Sequence, residues 1–268
     1  MPELPEIASR AREMNAELIG KTIVGIEVLQ PKCLNIPATD FTRFLTDATI
    51  KEVKSHGKWL FTHTSQGWLL INLGMGGEVL LVTRNSLPQK HRILFDFSDN
   101  TCLTLNFWWF GYAHFVNEHE LALHKETARL GLDARDVTTE SLRILISGKR
   151  TRLKQFLLNQ ENIAGIGNAY IHDILFLAGL HPQRLLNSLT DPEIDCLAQS
   201  IQKGLIPSLN KNGAFYEVNI HGVPGAFSLD DILIGYKEGK PCPRCGTLIT
   251  KIKTGSTSSF ICPACQLL

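Results

Sequence analysis

The sequence predicts a multi-domain α+β fold, and three observations lead to that prediction. Residues 3–19 carry apolar side chains at helical spacing. Short strand-like runs, separated by Gly, Asn-Asp or Pro, then continue to about residue 118. Beyond that point the pattern is helical, and the chain ends in two Cys-x-x-Cys pairs. Strands followed by helices favour separate layers or domains over an alternating α/β fold.

The first part of the chain is expected to be an antiparallel β-sandwich or barrel packed by an N-terminal helix. The apolar stripe of that helix consists of Leu4, Ile7, Ala8, Ala11, Met14 and Leu18. Gly20 is a natural stop, a strand over 22–30 follows, and 39–46 is predicted to be a short helix. The further predicted strands are 50–55, 58–64, 67–73, 77–83, 91–97, 101–107 and 112–117.

The second part is expected to be helical. The predicted helices are 119–130, 138–147, 151–160, 168–178 and 190–210. Residues 213–236 are rich in glycine and are predicted to be a long loop, which inside a compact domain tends to be functional or mobile. We therefore predict domains at 1–124, 125–225 and 226–268.

Composition gives a weak guide to function. The 268 residues have a formal net charge of only +1, so no strong overall field indicates a nucleic-acid partner. Positive charge is nevertheless concentrated in 237–268. No apolar run approaches the roughly 20 residues that span a bilayer, and the acidic N-terminus is unlike a signal peptide. We expect no membrane association and a cytoplasmic, intracellular location.

The four C-terminal cysteines are the strongest single signal. Cys242 and Cys245, then Cys262 and Cys265, offer four thiolates to one tetrahedral Zn²⁺ in a zinc ribbon. Four thiolates leave no open coordination position, so we expect a structural zinc. A redox pair or a disulfide is the alternative. The other cysteines, at positions 33, 102 and 196, are expected in the core.

The N-terminus offers a candidate nucleophile. Removal of Met1 would leave Pro2 as a secondary amine, and an α-amino group with a pKa of about 7.7–8.0 is partly neutral near pH 7. Such an amine can form a cationic Schiff base with an aldehyde-like carbon. Glu3 could supply a proton or hold charge. The alternative is a proline in the first turn of a helix with acids near its N-terminus.

Glycines at 165 and 167 precede a predicted helix and leave backbone N–H groups free for an anion such as phosphate. Asn168 could cap that helix or donate to the phosphate. A helix–turn–helix corner without a ligand is the alternative, but the basic cluster 148–154, which includes Lys154, favours a nucleic-acid backbone.

Several further residues have both a structural and a functional interpretation. Lys58 opens a strand and is otherwise an exposed edge lysine. Met75 lies in a glycine-rich turn, and His91 lies in a Lys-His-Arg cluster that could contact phosphates. Trp108 and Phe110 are most simply core aromatics, but exposed rings could stack on or wedge between bases.

Taken together, these residues resemble the formamidopyrimidine-DNA glycosylase / endonuclease VIII family. The match covers nearly the whole chain. The matching motifs are residues 2–6, Lys58, 73–76, 110–111, Lys154, 165–170 and the terminal zinc ribbon. The resemblance implies an N-terminal β-sandwich, a helix–two-turn–helix domain and a zinc ribbon with four cysteine ligands.

The resemblance also implies roles for individual residues. Pro2 would attack C1′ of the damaged nucleotide, Glu3 would shuttle protons, and Lys58 would stabilise charge near the phosphate and the Schiff base. Elimination at the 3′ and then the 5′ phosphate would nick the strand. The residues expected to contact DNA are Glu6, Met75, His91, Trp108, Phe110, Lys154, Asn168 and Thr257.

The sequence departs from the family at two arginine positions. Trp108 and Trp109 stand where the family has an arginine pair whose first member fills the gap left by the flipped base. Thr257 stands where the zinc hairpin has an arginine that binds lesion phosphates. We expect an altered lesion preference, because a threonine loses a charge-assisted phosphate contact and an indole cannot hydrogen-bond the orphaned base as arginine does.

The sequence thus predicts a monomeric bifunctional DNA glycosylase and abasic-site lyase that acts on double-stranded DNA containing damaged bases or abasic sites. Two alternatives stay open. One is a DNA-binding or lesion-sensing protein on the same scaffold with little or no base excision. The other is a lyase that acts on abasic sites alone.

Overall fold

The computed structural model describes residues 1–108 and 110–268, and these divide into two compact units. Unit 1 consists of Met1–Arg129 together with Lys211–Ala226. Unit 2 consists of Leu130–Asn210 together with Phe227–Leu268. We call Lys211–Ala226 the return segment, because the chain rejoins unit 1 there. The three predicted domain boundaries stay a prediction, and Trp109 lies outside the described residues.

Unit 1 is built on two four-stranded antiparallel sheets. The first has the order β1-β6-β7-β5, with β1 at Ile23–Val28, β5 at Glu78–Thr83, β6 at Ile93–Phe97 and β7 at Thr101–Asn106. The second has the order β2-β3-β4-β8, with β2 at Ile50–His56, β3 at Trp59–Thr64, β4 at Gly67–Asn72 and β8 at Tyr112–Val116. The predicted antiparallel sandwich is confirmed.

Helix α1, Leu4–Leu18, supplies one side of the core of unit 1. Ile7, Met14 and Leu18 are fully buried among side chains from both sheets. Helix α2, Ala38–Leu45, adds Phe41 to the same core. The apolar stripe therefore predicts helix α1 correctly, and its side chains form the face of α1 that is buried in the core.

The predicted helix at 119–130 is wrong. The segment forms a short 3-10 helix at Glu118–Leu123, followed by turns. Leu123 is 79% exposed, so its apolar side chain does not face a core. The buried residue is His124, whose ring is hydrogen-bonded to His114 at 2.8 Å. This long-range bond fixes the segment in a non-helical path.

Unit 2 contains the helices that follow. These are α3 at Thr139–Ile146, α4 at Leu153–Leu158, α5 at Ile171–Ala178 and α6 at Asp191–Asn210. A short parallel pair joins β9, Leu132–Asp133, to β10, Ile163–Ala164. An antiparallel hairpin joins β11, Thr250–Thr254, to β12, Thr257–Ile261. We call β11 and β12 with their turn the zinc hairpin.

The zinc hairpin packs on its own small core, in which Phe176 of α5 meets Ile234, Ile249 and Phe260 beside buried Cys242 and Cys262. Of the other cysteines, those at 33 and 102 are buried as expected, whereas Cys196 is exposed on α6. Within the described ranges, no helix combines the length and the apolar character needed to cross a lipid bilayer.

Candidate active site and nucleic-acid interface

The start of α1 places Pro2 and Glu3 in a fixed, buried position. Glu3 is the N-cap residue and is 5% exposed, and Pro2 is buried beside it. The Glu3 side chain accepts from the backbone N–H of Glu6, and the Glu6 carboxylate accepts from the Glu3 N–H at 2.9 Å. This reciprocal cap satisfies donors at the helix start. Capping therefore holds the carboxylate of Glu3 next to the proline, and the structural and catalytic interpretations are compatible.

Several side chains of α1 bind the return segment, among them Glu6, Arg10 and Glu13. Glu6 Oε1 accepts from the backbone N–H of Ala214 at 3.0 Å, and Glu13 accepts from Ile220 at 3.3 Å. Between them, Arg10 donates from Nη2 to Glu217 at 3.1 Å. Arg10 is only 2% exposed, so its guanidinium depends on this carboxylate. The polar face of α1 is therefore a docking face for the return segment.

Glu217 is a candidate functional residue that the sequence did not indicate. One carboxylate oxygen faces Arg10, and the other lies 3.7 Å from the terminal nitrogen of Met1. Burial raises the pKa of Glu217, while Arg10 and the terminal ammonium act in the opposite direction. The chain terminus thus lies beside a buried acid supplied by a segment more than two hundred positions along the chain.

Lys58 lies in a two-residue turn between β2 and β3. His56 pairs with Trp59, and Gly57 has φ +56°, which is the conformation that a hairpin turn with glycine in its first position requires. Asn72, at the end of β4, donates to the Lys58 carbonyl at 3.1 Å and accepts from the N–H of Gly74 at 3.0 Å. Asn72 therefore ties the Lys58 turn to the loop that carries Met75.

The apolar side chains of unit 1 predicted to contact DNA are all exposed. Met75 is 55% exposed, Trp108 is 71% exposed and Phe110 is 78% exposed. The Trp108 indole lies on Gly76, where a Cβ would meet ring atoms at 3.4 Å. Phe110 has φ +56°, a conformation that aromatic residues rarely adopt and that often marks functional sites. These rings are not core aromatics, so the structural interpretation of Trp108 and Phe110 is wrong.

His91 is half-buried at the turn that precedes β6. Its Nδ1 lies 3.3 Å from the Pro88 carbonyl oxygen. Its own loop thus positions the imidazole, and its role in DNA contact stays a prediction.

Lys154 of α4 is enclosed by the zinc hairpin. Its Nζ lies 2.6 Å from the Ser258 carbonyl oxygen, 2.9 Å from Ser259 Oγ, 3.0 Å from Thr257 Oγ1 and 3.3 Å from Thr254 Oγ1. The residue is 3% exposed, and burial lowers its pKa to about 8. Lys154 and Thr257, predicted separately as DNA contacts, are therefore one hydrogen-bonded group.

This group borders a pocket of about 420 Å³ whose lining also includes Arg152, Gln155 and Gln183. The lining thus combines the positive charge of Arg152 with the amide donors of Gln155 and Gln183, and such groups can bind a phosphate oxygen.

The turn before α5 differs from the prediction both in its cap and in its first glycine, whose N–H is not free for an anion. Gly165 has φ +112°, and its N–H donates to the Gln160 side chain at 2.9 Å. The N-cap residue of α5 is Tyr170, which makes no side-chain cap. Asn168 lies upstream, and its carbonyl oxygen accepts from Tyr236 at 3.4 Å. The capping interpretation of Asn168 is wrong, because backbone and Gln160 bonds already close this turn.

The four terminal cysteines converge as zinc ligands must. Their sulfur atoms all lie within 4.8 Å of one another. The closest approaches are 3.4 Å between Cys245 and Cys262, 3.5 Å between Cys245 and Cys265, and 3.9 Å between Cys242 and Cys265. Tetrahedral Zn–S bonds of about 2.3 Å give sulfur separations of about 3.8 Å. Four thiolates this close together repel one another, so they require a cation between them.

Three family models match consecutive parts of the chain. The formamidopyrimidine-DNA glycosylase N-terminal domain matches residues 1–107, and the H2TH domain of the same enzymes matches residues 130–218. A zinc finger found in these enzymes and in IleRS matches residues 239–267. A formamidopyrimidine-DNA glycosylase from Pelotomaculum thermopropionicum is 34% identical over 99% of both chains. The chain belongs to the formamidopyrimidine-DNA glycosylase family.

Other members of the family give the same result. The formamidopyrimidine-DNA glycosylase of Bacillus subtilis is 31% identical over 99% of both chains. The Lactococcus lactis enzyme, solved in complex with DNA containing an abasic site, superposes with a TM-score of 0.92 at 26% identity. That comparison covers 99% of this chain and 100% of the other. The same enzyme bound to DNA containing Fapy-dG gives a TM-score of 0.91.

The family resemblance and the predicted fold class are thereby confirmed. The helical part of unit 2 is the helix–two-turn–helix domain, and the cysteine cluster holds one structural zinc.

Proposed function

We propose that the protein removes damaged bases from double-stranded DNA and cleaves the resulting abasic sites through a Schiff base on the Pro2 amine. Family membership supports a base-excision DNA glycosylase and abasic-site lyase. The observation that carries the proposal is the buried Pro2–Glu3 pair at the start of α1, where a potential amine nucleophile adjoins a fixed carboxylate.

The residues of this pair have complementary chemistry. After removal of Met1, the Pro2 nitrogen attacks C1′ and the glycosidic bond breaks. A secondary amine bonded to that carbon becomes a cationic iminium when the sugar ring opens. Glu3 donates the proton that the ring oxygen needs and then accepts protons during elimination of the phosphates.

Lys58 is assigned the role of stabilising charge near the reacting phosphate. The tight turn and the hydrogen bond from Asn72 to its carbonyl oxygen fix its backbone. Because the target carbon must leave the base stack to be reached, the exposed Met75, Trp108 and Phe110 side chains would occupy the space that the extruded nucleotide leaves.

The remaining DNA contacts hold the strand. Lys154 and Thr257, with the polar lining of the adjoining pocket, form a phosphate-binding group in unit 2. Asn168, which lies in the turn before α5, supplies a second phosphate contact through its side-chain amide. Glu6 acts through its bonds to Glu3 and Ala214, and His91 contacts a neighbouring phosphate.

Lesion preference differs from that of relatives that carry the two arginines. Trp108 offers a flat apolar surface and cannot read the Watson–Crick edge of the opposite base. Thr257 offers a hydroxyl group in place of a charge. The protein therefore discriminates weakly between opposite bases. It acts as an intracellular monomer associated with DNA.

Borohydride trapping tests the proposal. Protein that begins at Pro2, verified by intact mass, is incubated with abasic-site DNA and borohydride. Reduction of the iminium gives a covalent protein–DNA complex, and Pro2→Gly is expected to abolish it or reduce it at least about tenfold. Glu13→Gln, a variant far from the chemistry on the same helix, is the matched control. No trapping by the wild type contradicts the proposal.

A further inference from the structure

A carboxylate of the return segment, that of Glu217, lies beside the chain terminus. Its Oε1 lies 3.7 Å from the Met1 nitrogen, and Arg10 contacts its other oxygen at 3.1 Å. Removal of one residue moves the terminal nitrogen by no more than about 3.8 Å, the spacing of consecutive residues. The Pro2 amine is therefore generated within about 7.5 Å of this carboxylate.

The position of Glu217 is fixed from several sides. Its N–H donates to the Ala214 carbonyl at 3.0 Å, and its carbonyl accepts from Gly225 at 3.0 Å. Ala214 is in turn bound to Glu6 at 3.0 Å. The carboxylate is 10% exposed, so water contributes little to its solvation.

Three charged groups act on the Glu217 carboxylate. Arg10 and the terminal ammonium favour its ionised form, whereas Glu6 disfavours it. Burial has the largest effect and raises the pKa of Glu217. A carboxylate of raised basicity next to an ammonium is suited to accept a proton from it.

We propose that Glu217 is the base that takes the proton from the Pro2 ammonium and so produces the free amine nucleophile. This inference rests on the proposed function, in which Pro2 is the nucleophile. It assigns separate tasks to two carboxylates, because Glu3 then serves the sugar and the elimination steps.

Proton transfer to Glu217 is followed by formation of the iminium, and Glu217 returns the proton at the end. The Pro2 ammonium transfers one proton from nitrogen to Glu217 and becomes a neutral secondary amine. With an abasic-site aldehyde, the N–C1′ bond forms and the carbonyl oxygen becomes a hydroxyl group as the amine loses its second proton to it. That hydroxyl leaves as water with the proton held by Glu217. The products are the cationic iminium, water and ionised Glu217.

The test is the pH profile of borohydride trapping for Glu217→Gln. The amide keeps the size of the side chain but cannot accept the proton, so deprotonation of the Pro2 ammonium must then rely on solvent. We expect trapping to be slower than wild type by about 10-fold or more at pH 6, and we expect the difference to close above about pH 8.5. Each protein is first treated with methionine aminopeptidase and its mass is verified to begin at Pro2.

Two variants separate this role from a structural one. Glu13→Gln weakens the anchoring of the same segment through Ile220 and should keep the wild-type profile. Glu217→Asp keeps the charge with a shorter arm and should restore part of the rate at pH 6. A Glu217→Gln profile that matches the wild type, or a loss that is equal at every pH, overturns the inference. Failure of the wild type itself to trap DNA would instead contradict the proposed function.

Discussion

The ammonium of Lys154 donates to the carbonyl oxygen of Ser258 across 2.6 Å and joins helix α4 to the zinc hairpin. Three hydroxyl groups of the hairpin also lie within 3.3 Å of this nitrogen. The lysine is therefore a clamp on the hairpin, and its proposed DNA contact would be shared with the hydroxyl groups that it holds.

Lys154→Met should loosen the hairpin, because its carbonyl and hydroxyl oxygens lose a charged donor. We expect the free energy of unfolding to fall by about 2 kcal/mol, since hydrogen bonds to charged groups contribute about 1.5–3 kcal/mol each and the deletion recovers part of the burial cost. Denaturant unfolding measures the change. Lys253→Met, at an exposed position of β11, is the control and should change stability by less than about 0.5 kcal/mol. Equal losses in the two variants would contradict the clamp.

Thr257→Arg should strengthen DNA binding and make it more sensitive to salt. One added phosphate contact steepens the dependence of log K on log salt concentration by about 0.9. Binding of abasic-site DNA, measured by fluorescence anisotropy over a salt series, gives the slope. Thr257→Gln adds length without charge and should leave the slope unchanged. A slope that does not steepen in Thr257→Arg would show that position 257 does not face a phosphate.

Trp108→Arg should introduce discrimination of the opposite base. A guanidinium can hydrogen-bond a base edge, and a good pair of such bonds is worth about 1–3 kcal/mol, or roughly 5- to 150-fold in rate. Excision of an oxidised guanine opposite cytosine and opposite adenine, compared in single turnovers, measures the ratio. We expect a ratio near one for the wild type and for Trp108→Leu, which keeps an apolar wedge. A strong cytosine preference in the wild type would contradict the assigned role of Trp108.

Acid should destabilise unit 1 through the buried His114–His124 pair. Burial, reinforced by His124, lowers the pKa of His114 from 6.5 to about 4. Between these values the unfolded chain binds more protons than the folded one, so the free energy of unfolding falls as pH decreases from 6.5 to about 4. The contribution is up to about 3 kcal/mol.

His114→Gln should therefore flatten the dependence of stability on pH in that window. Denaturant unfolding at a series of pH values measures this effect. His119→Gln, at an exposed position of the following segment, should retain the wild-type dependence. If His114→Gln is as acid-sensitive as the wild type, the pair is not the cause.

Local signals predicted most of the fold. The stripe of α1 and the Gly and Asn-Asp breaks between strands predicted elements whose ends lie within a few residues of those observed. The zinc site could also be predicted from the sequence, because the two cysteines of each pair are close in sequence and their metal chemistry is specific. The segment 119–130 was mispredicted because its path depends on the bond between His124 and His114, a contact of the folded state that periodicity does not contain.

The candidate site was predicted less completely. Pro2, Glu3 and Lys58 were found through motifs, whereas Glu217 lies in a segment whose glycines predict only a loop. A usable signal was present on α1 itself. A polar stripe recurs there at intervals of three or four residues, and each of its members binds the return segment: Glu6, Arg10, Glu13 and Glu17. A charged stripe beside an apolar one indicates a docking face, but its partner is identified only by the folded structure.

The return segment also has a consequence for synthesis of the protein. Unit 1 includes Met1–Arg129 but is complete only when residue 226 has been added. Until then the nascent chain exposes the face of α1 that Glu217 and Ala214 later cover, and Arg10 lacks its carboxylate. A truncated product that ends after residue 129 would contain the whole β-sandwich and Pro2, yet not the acid beside it. The amine site is therefore finished only after residues 130–210, which belong to unit 2, have been synthesised.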